Sequence, residues 1–376
     1  MTTDTLTRAM MAEPALRVAV IGHIRFAVAE PFQGGMEAHC ASLCRGLAMA
    51  GHDVTLFAAG GSRADAAIVP ICAQPYEHAL PWARWRGTPQ LEEYQRRAFR
   101  RAWDAIRSGG FDVVHNNTLF PDLIDWAARD NIPMLTSQHV PPFGKMRDAV
   151  RQAEGDPLRP MTVTSASQLP LWSDRPMANM HVVYNGIDTA LWRPVATPRV
   201  PPPLFWSGRI TPNKGTAMAL QAARLAGVAL DLAGTIEDET YFACEVEPLL
   251  DPLRRYLGHL SGERLHRKMA RARALVVTPA WDEPFGLVAA EALSCDVPVI
   301  AFDCGALREV VGSCGAIIAA GDVAALAEAM RNPPQLASGH ARARAEALFS
   351  LPAMIAGYEA LYRSAINAAQ PLEVVA

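Results

Sequence analysis

The chain has 376 residues, of which half are hydrophobic and 19% are charged. At about 150 residues per domain, this length predicts two globular domains, and the apolar content excludes a disordered polymer. Thirty-five basic residues against 38 acidic ones give a formal charge of −3, which argues against nucleic acid as a main partner. No apolar run approaches the roughly 18 residues of a membrane span, and the first 15 residues lack the apolar region of a signal peptide.

The cysteines favour a reducing compartment. There are seven of them, and no two have the CxxC spacing of zinc and redox sites. Cys40 and Cys44 fall one helical turn apart among apolar residues, as buried free thiols would. We therefore expect a cytoplasmic protein with no metal site.

Short β-rich runs alternate with helical segments along the chain. In the first half the runs lie at 17–23, 53–59, 111–116 and 134–139, and residues 35–50 have helical spacing before Gly51. The alternation restarts with runs at 204–208, 229–234, 274–280 and 297–302. Strands that alternate with helices form parallel sheets covered on both faces. The sequence thus predicts an α/β protein with two doubly wound, Rossmann-like domains that face each other across a cleft.

The boundary between the domains is predicted at the segment ATPRVPPP, residues 196–203, because its prolines disfavour helices and sheet interiors. We expect a first domain at 1–195, a second domain at 204–345 and a closing helical segment at 346–376.

Residues 80–107 differ in character from the rest, with seven arginines and three tryptophans against three acids. A basic amphipathic helix of this kind can lie on an anionic membrane surface. The alternative is a solvated helix whose Trp and Phe side chains pack inward. Both interpretations stay open at this stage.

Ligands of doubly wound domains bind at the carboxyl ends of the strands, so the segments that follow the strands are the candidate site. After the first strand, Gly34 and Gly35 open a helix without a GxGxxG pattern, and their amides can approach an anion. After the first strand of the second half, Arg209 and Lys214 flank a turn and suit a diphosphate. The plain alternatives are a tight turn and two surface cations.

The segment TPAWDEPFGLVAAEAL, residues 278–293, carries two further candidate acids. Glu283 precedes a helix whose first amides, at 285–288, lack helical partners and form another anion site. Glu291 lies in the second turn, where a carboxylate can bind the vicinal hydroxyls of a ribose. A capping acid and a solvated surface acid are the alternatives.

These segments together resemble glycosyltransferase family 4, whose members are retaining enzymes of GT-B architecture. GRITPNKG at 208–215 is similar to the family's diphosphate loop, and EPFGLVAAE, from Glu283 to Glu291, matches its Glu-seven-Glu signature. GGME at 34–37 and VVYNGID at 182–188 resemble its glycine loop and its strand and turn before the second domain. The closing segment LPAMIAGYEALYRSA resembles the terminal helix that crosses back onto the first domain.

The resemblance implies a nucleotide-diphosphate-sugar donor held mainly by the second domain. Arg209 and Lys214 would neutralise the diphosphate, which Gly34 and Gly35 would touch from the first domain. Glu291 would hold the ribose.

The resemblance also implies how the sugar and the base are held. Glu283 would grip the sugar together with the backbone that follows it, at Phe285, Gly286 and Leu287. His139 matches a family histidine near the sugar and the β-phosphate, whereas His115 is a second candidate or a core residue. The base would be read by backbone around Leu257, Gly258 and His259.

The mechanism follows from charge. The sequence has no DxD motif, so we expect protein cations and helix amides to stabilise the leaving group without a metal or another cofactor. No residue is an obvious nucleophile, and the family comparison implies retention by front-face attack. UDP is the expected nucleotide because it is common in the family.

Two other classes of function stay open: a non-catalytic GT-B protein that binds a nucleotide or a glycan, and an epimerase or phosphorylase on the same fold. No pattern in the sequence distinguishes between a small-molecule, a glycan and a lipid-linked acceptor. A peripheral membrane contact through 80–107 would favour a lipid-linked acceptor.

Overall fold

The computed structural model of the protein describes residues 14–196 and 202–370. Most of the predicted proline-rich linker, residues 197–201, lies outside the described residues. Helices and strands alternate on both sides of this segment.

The first domain is built on a sheet of seven parallel strands in the order β3-β2-β1-β4-β5-β6-β7. Its central strands are buried on both faces, which explains their continuous apolar runs. The strands are β1 (Arg17–Gly22), β2 (Asp53–Ala59), β3 (Ala67–Cys72), β4 (Val113–Asn117), β5 (Met134–Gln138), β6 (Met161–Val163) and β7 (Met180–Val182).

The second domain repeats the plan with six parallel strands in the order β10-β9-β8-β11-β12-β13. The prediction of two doubly wound α/β domains is confirmed. The strands are β8 (Leu204–Ser207), β9 (Leu230–Ala233), β10 (Arg254–Tyr256), β11 (Leu275–Val277), β12 (Val299–Phe302) and β13 (Gly315–Ile318).

The helices cover the faces of the two sheets. Those of the first domain are α1 (Gly35–Met49), α2 (Trp82–Trp85), α3 (Pro89–Gly109), α4 (Asp122–Asp130), α5 (Gly144–Gln152) and α6 (Leu169–Trp172). The remaining helices are α7 (Thr216–Ala226), α8 (Glu239–Tyr241), α9 (Gly262–Ala270), α10 (Leu287–Ser294), α11 (Leu307–Val311), α12 (Val323–Arg331), α13 (His340–Phe349) and α14 (Leu351–Ala369).

The last helix, α14, packs against α1, β4 and β5 of the first domain. Its residues Tyr358 and Tyr362 are fully buried there, and the Tyr362 hydroxyl lies 2.5 Å from His115 Nδ1. The chain enters this helix beside the domain junction, where the Ile187 amide donates to the Phe349 carbonyl at 2.7 Å. Helix α14 thus returns from the second domain to the first.

The arginine-rich segment forms α2 and α3. Apolar side chains of α3, such as Phe99 and Trp103, are buried in the core of the first domain. Most arginines of α3 point outward to acidic partners, as in the pair of Arg96 with Asp122 at 2.6 Å. This packing agrees with the interpretation of α3 as a solvated helix whose Trp and Phe side chains pack inward. Trp82 in α2, by contrast, is 37% exposed. Among the described residues, no helix has the length and hydropathy needed to cross a membrane.

Candidate active site

A cleft of about 1560 Å³ lies between the two domains and is lined by residues of both. Several strands point their carboxyl ends into it. His23 follows β1, His139 follows β5, Arg209 follows β8 and Thr278 follows β11, and all four residues line the cleft. The strand topology therefore gathers polar side chains from distant parts of the chain at one place.

Two helices begin at this cleft, one from each domain. Gly34 caps α1 with an extended backbone, and a Cβ on Gly35 would lie 3.4 Å from the Leu287 side chain of α10. Gly286 caps α10 in the left-handed region at φ 87°, where a Cβ would come within 2.7 Å of Leu307. The free amides of both helix starts thus lie close together, an arrangement that suits an anion.

Lys214 and Glu283 form an ion pair in the cleft. The Lys214 Nζ lies 2.5 Å from Glu283 Oε2, and the Trp281 indole N–H donates to the same oxygen at 3.0 Å. Gly215 allows this contact because its φ is 65° and a Cβ would lie 1.9 Å from the carbonyl oxygen of Thr278. The loop that carries Lys214 and Gly215 therefore packs directly on the carboxyl end of β11, and the chain continues from this end to Glu283.

Arg209 also pairs with an acid. Its Nη1 lies 2.5 Å from Glu237 Oε2, and the other oxygen of Glu237 lies 3.7 Å from Arg25 Nη2 of the first domain. Arg25 itself forms a fork with Glu77 at 2.9 and 3.3 Å. Sequence reasoning missed Arg25 and Glu237, although both lie in segments that follow strands and could have been found by that criterion.

Glu291 lies in the second turn of α10 and lines the cleft. Within residues 14–196 and 202–370, its carboxyl group has no side-chain hydrogen bond. Burial raises the pKa of Glu291 to about 7. A carboxyl in these surroundings is suited to accept hydrogen bonds from ligand hydroxyls, which would favour its ionised form.

His139 is held by the neighbouring strand. Its Nε2 lies 2.5 Å from the Asn117 side-chain oxygen, and burial lowers the pKa of His139 to about 4. The ring is therefore neutral at pH 7, with the proton on Nε2, because an amide oxygen only accepts. His39 of α1 lies against it with ring centroids 4.3 Å apart, and neither nitrogen of this buried ring has a hydrogen-bond partner. Sequence reasoning missed His39, since its helical position indicates only burial.

His115 lies in the core and does not line the cleft. Its two nitrogens contact the Tyr362 hydroxyl and the Ser137 hydroxyl, at 2.5 and 2.8 Å. Burial lowers the pKa of His115 to about 3. The residue thus fixes α14 to the first sheet, in accord with the core interpretation.

Only part of the segment predicted to bind the base, residues 257–259, lines the cleft. His259 lines it, with Nδ1 3.0 Å from the Thr235 hydroxyl. Gly258 accepts a hydrogen bond from the Gly234 amide at 3.1 Å, and Leu257 packs on the core of the second domain. Phe285 lines the cleft, but its side chain is 2% exposed, so a ligand meets mainly its backbone.

The loop that follows Glu283 is held by the first domain. The Pro284 carbonyl accepts hydrogen bonds from the hydroxyls of Thr164 and Ser165, at 3.0 and 2.8 Å. Next to it, Glu309 of α11 accepts from the Tyr184 hydroxyl at 2.6 Å. This loop of the second domain is therefore held in part by residues of the first domain.

Within the part of the chain that the structure describes, no group of three or more His, Cys, Asp or Glu side chains is arranged to hold a metal ion.

Solved structures share this two-domain arrangement. A sucrose-phosphate synthase from Thermosynechococcus elongatus superposes with a TM-score of 0.75 at 22% identity, covering 94% of this chain and all of that chain. HepE from Anabaena, solved with UDP and glucose, gives 0.71 at 17% identity over 93% of this chain and all of its own. The fold is that of the GT-B glycosyltransferases.

Comparison with known sequences shows to which type of GT-B glycosyltransferase the chain is similar. The family model "Glycosyltransferase Family 4" matches residues 33–191, and "Glycosyl transferases group 1" matches residues 201–332. A D-inositol 3-phosphate glycosyltransferase from Mycolicibacterium smegmatis is 27% identical over 355 residues, which cover 83% of this chain and 82% of that protein. The chain belongs to the family 4 type of glycosyltransferases, and it is an enzyme rather than a passive binding protein.

Proposed function

We propose that this glycosyltransferase retains the anomeric configuration, uses a UDP-sugar donor and needs no divalent metal ion. The main support is the facing pair of helix starts at Gly35 and Leu287, beside Lys214 and Glu283. This arrangement offers amides and a cation to a diphosphate, next to a carboxylate that can hold the sugar.

The donor diphosphate would lie between the two helix starts, within reach of Arg209 and Lys214. Both cations are paired with carboxylates in the structure, so a phosphate oxygen would compete with Glu237 and Glu283 for them. Lys214 and Trp281 both contact Oε2 of Glu283, which leaves Oε1 for sugar hydroxyls.

The nucleoside would extend along the second domain. Glu291 would accept hydrogen bonds from the two ribose hydroxyls, and the base would lie near His259 and the backbone of Leu257 and Gly258. We take the base to be uracil because HepE, which shares the fold, was solved with UDP and with UDP-glucose.

Transfer would proceed on one face of the sugar. As the bond from the sugar C1 to the β-phosphate breaks, negative charge grows on the diphosphate, where Arg209, Lys214 and the helix amides stabilise it. The departing phosphate oxygen takes the proton of the acceptor hydroxyl. His139 is neutral, so it can contribute a hydrogen bond beside the sugar without adding charge.

The first test concerns Lys214. We expect Lys214→Ala to lower kcat by about 100-fold or more, by analogy with the loss of a donor to a developing oxyanion. Arg151→Ala, at an exposed cation of α5 that does not line the cleft, is the matched control and should change neither kcat nor the UDP affinity measured by calorimetry. Unchanged turnover in Lys214→Ala would contradict the placement of the diphosphate.

Two further measurements test the mechanism. Activity should be the same with and without EDTA, and a requirement for added metal would refute metal independence. The product anomer, assigned by NMR, should have the donor's configuration, and inversion would refute front-face attack.

We also propose that the enzyme works in the cytoplasm, with a peripheral membrane contact through residues 80–107. Exposed Trp82, Arg84 and Arg86 are the side chains available for that contact. Flotation with vesicles that contain anionic lipid should carry the protein upward, and a protein that stays in the dense fraction would contradict this contact.

A further inference from the structure

Large aromatic side chains of the first domain line its share of the cleft, among charged and polar residues. Phe26, Phe32 and Phe120 line it, and Trp82 and Phe143 lie there with 37% and 42% of their surface exposed. Large apolar side chains are usually exposed singly, and a group of them in a cleft indicates a ligand surface. This half of the cleft therefore offers apolar contact area to whatever receives the sugar.

The basic side chains in this half are already neutralised. Arg25 forms its fork with Glu77, and three further cations lie within 3.2 Å of carboxylates, namely Arg45 with Asp188, Arg96 with Asp122 and Lys145 with Glu92. Arg63 is the one arginine or lysine of the first domain, among the described residues of the cleft, for which no ion pair is found. A phosphate group would need several free positive groups, and this half does not supply them.

Ion pairing alone does not distinguish the two halves, because Arg209 and Lys214 are paired as well. The difference lies in the neighbouring groups. Around Arg209 and Lys214 the cleft adds the facing helix starts at Gly35 of the first domain and Leu287 of the second. In the rest of the first domain's share, α4 begins with its own carboxylate at Asp122, and Phe143 precedes α5. An anion therefore fits the region between Gly35 and Leu287 much better.

Several buried polar groups of this half lack a hydrogen-bond partner, among them both nitrogens of His39 and one hydroxyl. The hydroxyl of Tyr76, a fully buried residue that lines the cleft, makes no hydrogen bond. The ring of His23 lies beside it, with centroids 6.0 Å apart. A buried hydroxyl without a partner is costly, and a hydroxylated ligand can relieve that cost.

We propose that the acceptor is a neutral compound that bears its hydroxyl next to an aromatic or alkyl portion, and that it is not a sugar phosphate or polyol phosphate. This proposal rests on the proposed transfer function. In the reaction the acceptor oxygen bonds to C1 of the sugar, and the bond from C1 to the β-phosphate breaks with its electron pair. The acceptor's hydroxyl proton passes to the departing phosphate, so atoms and charge balance.

Calorimetry on UDP-saturated protein tests the proposal without knowledge of the donated sugar. Three probes share one glucose unit: 4-nitrophenyl β-glucoside, glucose and glucose 6-phosphate. We expect the aryl glucoside to bind about tenfold tighter than glucose or better, because its ring buries apolar surface. Glucose 6-phosphate should bind no tighter than glucose. Failure of UDP itself to bind would refute the proposed function, which separates that failure from failure of the acceptor class.

Variants locate the effect on this surface. Trp82→Ala and Phe143→Ala should each weaken binding of the aryl glucoside by about threefold to tenfold while UDP affinity stays the same. Leu225→Ala, at an apolar side chain that is 58% exposed and does not line the cleft, is the matched control. An aryl glucoside that binds no tighter than glucose, or a preference for glucose 6-phosphate, would overturn the proposal.

Discussion

Replacing Glu291 by Gln should stabilise the folded protein and weaken its affinity for UDP, and both effects should depend on pH. The carboxyl group lines the cleft, and burial raises its pKa from 4.5 to about 7. No side chain of the described residues provides it with a hydrogen bond. The wild-type protein therefore carries an unpaired acid that its folded state prefers to keep protonated.

The stability effect has a definite sign. Below pH 4.5 the group is protonated in both the folded and the unfolded state, so it costs nothing. As pH rises from 4.5 to 7, ionisation increasingly favours the unfolded chain, and above pH 7 the cost levels off. The displacement of the pKa corresponds to about 3 kcal/mol at its full extent. Gln avoids this cost, so Glu291→Gln should be more stable than wild type at pH 8.5, and most of that advantage should be lost at pH 5.

The effect on binding is opposite. Ribose hydroxyls should favour the ionised carboxylate, so UDP should bind the wild-type protein more tightly as pH rises from 6 to 8. Loss of a hydrogen bond to a charged group costs about 1.5–3 kcal/mol, or roughly 10-fold to 150-fold in UDP affinity at pH 8. The affinity of the variant should vary much less with pH.

Urea unfolding at pH 5 and 8.5 and calorimetry with UDP at pH 6 and 8 check both effects. Glu239→Gln, at an exposed glutamate of α8, is the matched control and should change neither quantity. A stability difference that is the same at both pH values would refute the assignment of a raised pKa. Unchanged UDP affinity would refute the role at the ribose.

Two further predictions concern the groups around the diphosphate and sugar. Glu237→Gln should strengthen UDP binding several-fold because it frees Arg209. Calorimetry at two ionic strengths should show that this gain in affinity is smaller in high salt. Weaker UDP binding by the variant would mean that Glu237 orients Arg209. Ser165→Ala removes one of the two donors to the Pro284 carbonyl and should cost about 1 kcal/mol of stability and raise the KM for the donor. A donor KM equal to that of wild type would mean that this contact does not position the Glu283 loop.

The two-domain fold could be predicted because apolar periodicity is a local property. Eight of the strands coincide with β-rich runs in the sequence, and the glycine and acid motifs follow strand ends. β6, β7 and β10 were missed because they are only three residues long, and so short a strand shows a period only within a longer apolar run, as β11 does. β3 was missed because it contains Pro70, which a strand tolerates at the edge of a sheet, where β3 lies.

The sequence by itself determined the class of fold, the strand ends that carry Arg209 and Lys214, and the likeness to family 4. Only the tertiary structure decided which side chains meet. Lys214 reaches Glu283 across 69 residues, and Arg25 reaches Glu237 from the other domain. The physical reason is that periodicity encodes which face of an element is buried, whereas distances between side chains depend on how sheets, helices and domains pack together.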